Sequence, residues 1–110
     1  MKPSCTVAST VQEGFETFRS IVSKPSCTVE ATDKSEKRYF KNTNDLLLKK
    51  EKYYYENAIG IKTGYTSQAK NCLIADAKKD NLELIAVTLG SKSQADRYSD
   101  TINMFEFGFN

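Results

Sequence analysis

Ile59-Gly60-Ile61-Lys62-Thr63-Gly64-Tyr65-Thr66 opens the most regular half of this 110-residue chain. Residues 59–65 read as a β-strand, and strand patterns follow at 71–78 and 82–89, the last two joined by the polar turn Lys79-Asp80-Asn81. Three such strands in succession predict an antiparallel meander. After Gly90, Ser93 can cap a helix with Asp96 three residues on, and Tyr98, Ile102, Phe105 and Phe109 form an apolar stripe suited to packing on a sheet.

Upstream, Thr10-Val11-Gln12-Glu13 has the form of a capping box, and Val11, Phe15, Phe18 and Val22 share one face at helical spacing, which predicts a helix over 11–22. Pro25 stops it. Residues 28–32 and 38–41 read as two short strand-like segments around Asp33-Lys34-Ser35-Glu36. The run 42–57, with Leu46-Leu47-Leu48 and Tyr53-Tyr54-Tyr55 set among lysines, has no clean period and reads as a connecting loop with room for a helical turn.

Lys62-Thr63-Gly64 carries the chemical interest. A lysine beside a hydroxyl offers positive charge and a donor to a carboxylate, and a following glycine lets another backbone approach the strand. The same triplet also occurs at solvated strand ends, so its neighbours decide its meaning. Those neighbours are Ile59-Gly60-Ile61 before it, Tyr65-Thr66 after it, Asn71-Cys72-Leu73-Ile74-Ala75, Leu84-Ile85-Ala86-Val87-Thr88-Leu89-Gly90, the upstream Asn42-Thr43-Asn44 with Leu46-Leu47, and the closing Phe107-Gly108-Phe109.

In this order and at these spacings the motifs closely resemble the D-alanyl-D-alanine carboxypeptidases, the serine-type, low-molecular-mass penicillin-binding proteins. The resemblance runs over about 15–109 and marks 15–110 as the C-terminal part of a catalytic domain. It implies an α/β fold of the α+β type, an antiparallel sheet flanked by helices and related to β-lactamases and transpeptidases, of which three sheet strands and the last helix fall here. The Lys-Thr-Gly strand is shared with serine β-lactamases, while Asn42-Thr43-Asn44 and the Gly108-Phe109 ending favour the carboxypeptidases.

The resemblance also implies roles. Lys62 would act in catalysis by stabilising the relay serine and the substrate carboxylate, Thr63 would bind that carboxylate, and Gly64 would give clearance. The Tyr65 N–H would be one of two oxyanion donors, and Arg97 would help to hold the same carboxylate. Arg97 also reads as a helix-surface cation, solvated or paired with Asp96, Asp100 or Glu106. The implied ligands are D-Ala-D-Ala stem peptides of peptidoglycan and β-lactams, with no metal or organic cofactor. The parent would work outside the cytoplasm.

Composition agrees with a lysine-based scheme. The chain has no histidine, which removes Ser-His-Asp catalysis and the usual zinc sites. A formal charge of +2 is too small to argue for nucleic acid or an anionic membrane. Cys5, Cys27 and Cys72 are widely spaced and define neither a disulfide framework nor a metal cluster, and the state of each stays open. Residues 1–10 lack the apolar core of a signal peptide.

The family pattern departs in two places. Lys2-Pro3-Ser4-Cys5-Thr6-Val7 recurs letter for letter as Lys24-Pro25-Ser26-Cys27-Thr28-Val29, so 1–14 is an atypical segment carrying a duplicated stretch. Ser-x-x-Lys occurs only as Ser67-Gln68-Ala69-Lys70, in the loop after the Lys-Thr-Gly strand, where the family's nucleophile does not lie. The nucleophile is therefore expected outside these residues. Two other readings follow: a non-catalytic module that captures peptides, and one that self-associates through an exposed sheet edge or pairs with a separate N-terminal fragment.

Overall fold

The computed structural model describes the backbone of residues 11–110, with side chains described from Glu16 onward. The first copy of the duplicated stretch, Cys5 and the expected capping box lie outside the side chains described. Element order is helix α1 (Val11–Val22), strands β1 (Ser26–Val29) and β2 (Arg38–Lys41), a 3-10 helix (Asp45–Leu47), strands β3 (Ala58–Thr66), β4 (Lys70–Lys79) and β5 (Leu82–Ser91), and helix α2 (Gln94–Phe109).

β3, β4 and β5 form the expected antiparallel meander in the order β3-β4-β5. Register explains its two faces. Ala75 pairs with Ala86, Leu73 with Thr88 and Ala77 with Leu84, which places small or buried residues together on one side. Against that side lies α2, whose Tyr98 and Phe105 are each 1% exposed and whose Ile102 and Phe109 pack at the margin of the core. The alanines let the helix approach closely, and the aromatics fill the space. Ser93 caps α2, its side chain accepting from the Asp96 N–H at 3.0 Å.

On the opposite face α1 meets β3. A Cβ built on Gly60 would come within 2.8 Å of Val22 Cγ2, so the glycine permits that contact. Arg19 donates to Glu83 of β5 at 2.8 Å and ties the helix across the sheet. Asp76, paired in register with Gly60 and with Ile85, is buried on this face.

β1 and β2 pair antiparallel in a separate two-stranded sheet, with Cys27 opposite Phe40. The first of these strands lies earlier than the expected 28–32. Thr32 already belongs to the turn that follows: its hydroxyl accepts from the Lys34 and Ser35 N–H groups while its own N–H donates to the Ser35 carbonyl, so its backbone is not available to the ladder. Cys27 is disulfide-bonded and Cys72 is a free, half-buried thiol.

The connecting stretch is more ordered than its lack of period suggested. Asn42 Nδ2 donates to the carbonyls of Val22 and Lys24, and its Oδ1 accepts from the Asn44 N–H. Asn44 Oδ1 in turn accepts from the Leu46 N–H and caps the 3-10 helix, whose Leu46 is fully buried. The Tyr98 hydroxyl accepts from the Asp45 N–H at 3.2 Å and donates to the Thr43 carbonyl at 3.1 Å. Two asparagines and one tyrosine thus fix this segment against the end of α1 and against α2.

Candidate functional site

β3 sits at an edge of its sheet, and the segment around Thr43 runs beside that edge. Strand alternation leaves every second backbone group of such an edge pointing away from β4. Between the two lies a cavity of about 610 Å³, lined among others by Lys41, Thr43, Asp45, Lys62, Thr63, Gly64, Tyr65 and Arg97. All five residues singled out from the sequence therefore border one space.

Two hydroxyl groups of its lining meet. Thr43 and Thr63 are hydrogen-bonded through their Oγ1 atoms at 2.8 Å. Lys62 Nζ donates to the Thr63 carbonyl at 2.9 Å and lies 3.4 Å from both threonine hydroxyls. An ammonium held over two hydroxyls can stabilise a carboxylate that both hydroxyls also reach. Gly64 faces open space, since a Cβ added there would meet nothing within 4 Å.

Arg97 is not the surface cation of the alternative reading. It is 6% exposed, and its Nη1 donates to the Gly64 carbonyl at 3.3 Å and the Cys72 carbonyl at 3.4 Å. The guanidinium also lies over the Tyr98 ring, 5.1 Å from its centroid. Nε has no hydrogen-bond partner among the described residues. Packing against two strand carbonyls, rather than pairing with Asp96 or Asp100, brings this arginine to the cavity.

Three cations, Lys41, Lys62 and Arg97, border the cavity with one acid, Asp45. Burial, and then the nearby Glu51, push the Asp45 carboxyl above its usual value, against the opposing pull of Lys41 and Arg97. The balance favours an anionic guest.

Ser67 is exposed in the turn between β3 and β4 and does not border this cavity. Sequence reasoning missed Lys41 and Asp45 as site residues. Thr43 carried a signal, since Asn42-Thr43-Asn44 was one of the motifs, but a hydroxyl among asparagines gives no hint of its partner across the loop.

A family profile described as D-alanyl-D-alanine carboxypeptidase matches residues 5–93. The chain belongs to the D-alanyl-D-alanine carboxypeptidase family. It is 41% identical over 80 residues to the D-alanyl-D-alanine carboxypeptidase DacF of Bacillus subtilis, a match covering 73% of this chain and 19% of that protein. It is 34% identical over 97 residues to the D-alanyl-D-alanine carboxypeptidase of Streptomyces sp. strain K15, covering 84% of this chain and 32% of that one.

Solved structures of this carboxypeptidase kind share the fold. The Streptomyces K15 DD-transpeptidase superposes with a TM-score of 0.74 at 34% identity, over 86% of this chain and 36% of that one. Penicillin-binding protein D2 of Listeria monocytogenes, in its cefotaxime-bound form, gives a TM-score of 0.67 at 29% identity, over 93% of this chain and 41% of that one. The mixed α+β architecture expected from the sequence is thus the architecture present. The chain spans roughly a fifth to a third of the curated relatives it matches.

Proposed function

We propose that this chain forms the carboxylate-binding wall of a serine-type D-Ala-D-Ala carboxypeptidase acting on peptidoglycan stem peptides outside the cytoplasm. The observation that carries the proposal is the convergence of Lys62, Thr63 and Arg97 on one cavity along the free edge of β3. The terminal carboxylate would lie between the Thr63 hydroxyl and the cationic groups of Lys62 and Arg97. The reacting carbonyl would face the Tyr65 N–H, and open space at Gly64 would admit the substrate backbone. β-Lactams, which also carry a carboxylate beside a reactive carbonyl, would occupy the same wall. The serine nucleophile would come from outside these residues, so the chain alone would bind without turning substrate over.

Titration of the 110-residue chain with N-acetyl-D-Ala-D-Ala, followed by amide NMR shifts, tests this reading. Shifts at Lys62, Thr63 and Tyr65, absent with the C-terminal amide of the same peptide, are expected. Equal response to acid and amide would refute carboxylate capture. A fluorescent penicillin is expected to leave the chain unlabelled, and covalent labelling of any serine would place a nucleophile within it.

One observation favours a second reading, self-association. Ile85, Val87 and Leu89 of β5 are 65%, 52% and 75% exposed, and β5 is the other edge strand of the sheet. The same edge would accept a separate N-terminal fragment. Sedimentation at two concentrations distinguishes these outcomes: a concentration-independent monomer excludes self-pairing.

A further inference from the structure

Among the described residues that line the carboxylate cavity, Asp45 alone is acidic, and nothing in the carboxylate-binding reading uses it. It opens the 3-10 helix, where its main chain is engaged on both sides. The N–H donates to the Tyr98 hydroxyl at 3.2 Å, and the carbonyl accepts from the Leu48 N–H at 3.1 Å. The backbone therefore holds this residue in place. Its half-buried side chain makes none of the ion pairs found among the described residues.

Charged groups face the carboxyl from each element packed around it. Arg97 of α2 and Lys41 at the end of β2 attract it, and Glu51, in the turn after the 3-10 helix, repels it. Lys62 of β3 borders the same cavity. Arg97 Nη1 is committed to the Gly64 and Cys72 carbonyls, while its buried Nε has no hydrogen-bond partner among the described residues. A ligand carboxylate that reaches Arg97 thus enters the field of a second carboxylate. Like charges brought together in a partly desolvated site repel enough to change affinity severalfold.

We infer that Asp45 is a specificity-determining residue of this anion site, an internal competitor that lowers affinity for the terminal carboxylate while ionised and releases the site when protonated. The inference rests on the carboxylate-binding reading above and adds the group that limits it. The sign follows from the surroundings. Burial, and then Glu51, push the Asp45 carboxyl above its usual value, with Lys41 and Arg97 opposing. A guest carboxylate adds another negative charge and raises it further, so binding and protonation favour each other. Affinity therefore falls as pH rises through the folded value. Glu51, 3.8 Å from Lys41, would give the same trend by releasing that lysine when protonated, so it needs its own control.

The test titrates the 110-residue chain with N-acetyl-D-Ala-D-Ala, followed by amide NMR shifts. Readings at about pH 7 and about pH 4.5 suit it, since the ligand's own α-carboxyl, ordinarily near 3.5, stays mostly ionised at both. Asp45→Asn keeps the shape and removes the charge. It should bind the peptide about three- to tenfold more tightly than the wild type at the higher pH. That gain should shrink at the lower pH and in high salt. Asp45→Glu retains the charge and should show no gain. In a Glu51→Gln background the gain from Asp45→Asn should persist. Should Asp45→Asn fail to fold, Glu51→Gln alone still decides, because its affinity should rise on acidification.

An Asp45→Asn variant that binds no more tightly than a binding-competent wild type would overturn this role while leaving the carboxylate wall intact. A gain equal at both pH values, or shared by Asp45→Glu, would overturn it as well, by showing an effect of shape rather than charge. Failure of the wild type and every variant to bind would remove the wall and the competitor together.

Discussion

Thr43 and Thr63, which both border the cavity, share a hydrogen bond of 2.8 Å, with Lys62 Nζ 3.4 Å from each hydroxyl. One threonine belongs to a loop pinned by asparagines and the other to an edge strand, so the contact registers loop against strand. A carboxylate entering here would find an ammonium and one uncommitted hydroxyl hydrogen already arranged, the other hydroxyl being spent within the threonine pair.

Thr43→Val keeps the branched shape and deletes the hydroxyl. Affinity for N-acetyl-D-Ala-D-Ala should fall by roughly 2- to 10-fold, the range of one modest hydrogen bond. Because Thr43 is exposed, the urea midpoint should stay unchanged. Thr43→Ser should restore binding. Wild-type affinity in the valine variant would show that the hydroxyl takes no part.

Arg97 joins α2 to β3 and β4 through the Gly64 and Cys72 carbonyls. Arg97→Met retains length and apolar bulk but strands both acceptors. Urea denaturation should then show a loss of about 1.5–3 kcal/mol, the range for hydrogen bonds to a charged group. Arg97→Lys keeps the charge without the planar fork, so ligand affinity should recover further than stability does. A methionine variant as stable as the wild type would mean that those bonds contribute nothing net.

The two glycines of the strand should respond in opposite ways. Gly60→Ala would push a methyl group within 2.8 Å of Val22 Cγ2, and overpacking of this kind costs about 1–3 kcal/mol. Val22→Ala should relieve part of that loss in the double variant. Gly64→Ala meets nothing within 4 Å and should leave stability within about 0.5 kcal/mol while weakening peptide binding. Stability loss at Gly64 with intact binding would reverse the assignment.

Most of this architecture was legible in the sequence because it follows from local pattern. The strand periods, the Ser93 cap and the Tyr98 to Phe109 stripe are each written over a few neighbouring residues. The expected strand at 28–32 runs too far because propensity says nothing about the Thr32 hydroxyl, which commits that residue to the following turn. The loop at 42–57 shows no period, although a helical turn in it is expected and present at Asp45–Leu47, because its order comes from single contacts far along the chain, such as Tyr98 with Thr43 and Asp45. The site followed the same rule. Motif residues were readable, whereas the burial of Arg97 and the nearness of Lys41 and Asp45 exist only once α2 and the loop have packed.

Asp76 offers a test of the α1 face by pH. It is 5% exposed, with Oδ1 lacking a hydrogen-bond partner among the described residues. Desolvation pushes its carboxyl above the ordinary 3.8, with Glu83 adding to the rise and Arg19 and the Ala77 backbone opposing it. A carboxyl raised in the folded state opposes folding when ionised. That penalty is complete above the folded value, fades as pH falls through it, and is gone below the unfolded value. Asp76→Asn removes the ionisation while keeping the shape. Its melting temperature should exceed that of the wild type at pH 7, and the margin should shrink as both are taken to pH 4. A margin that is constant, or that widens on acidification, would show that Asp76 is not the group held out of water beneath α1.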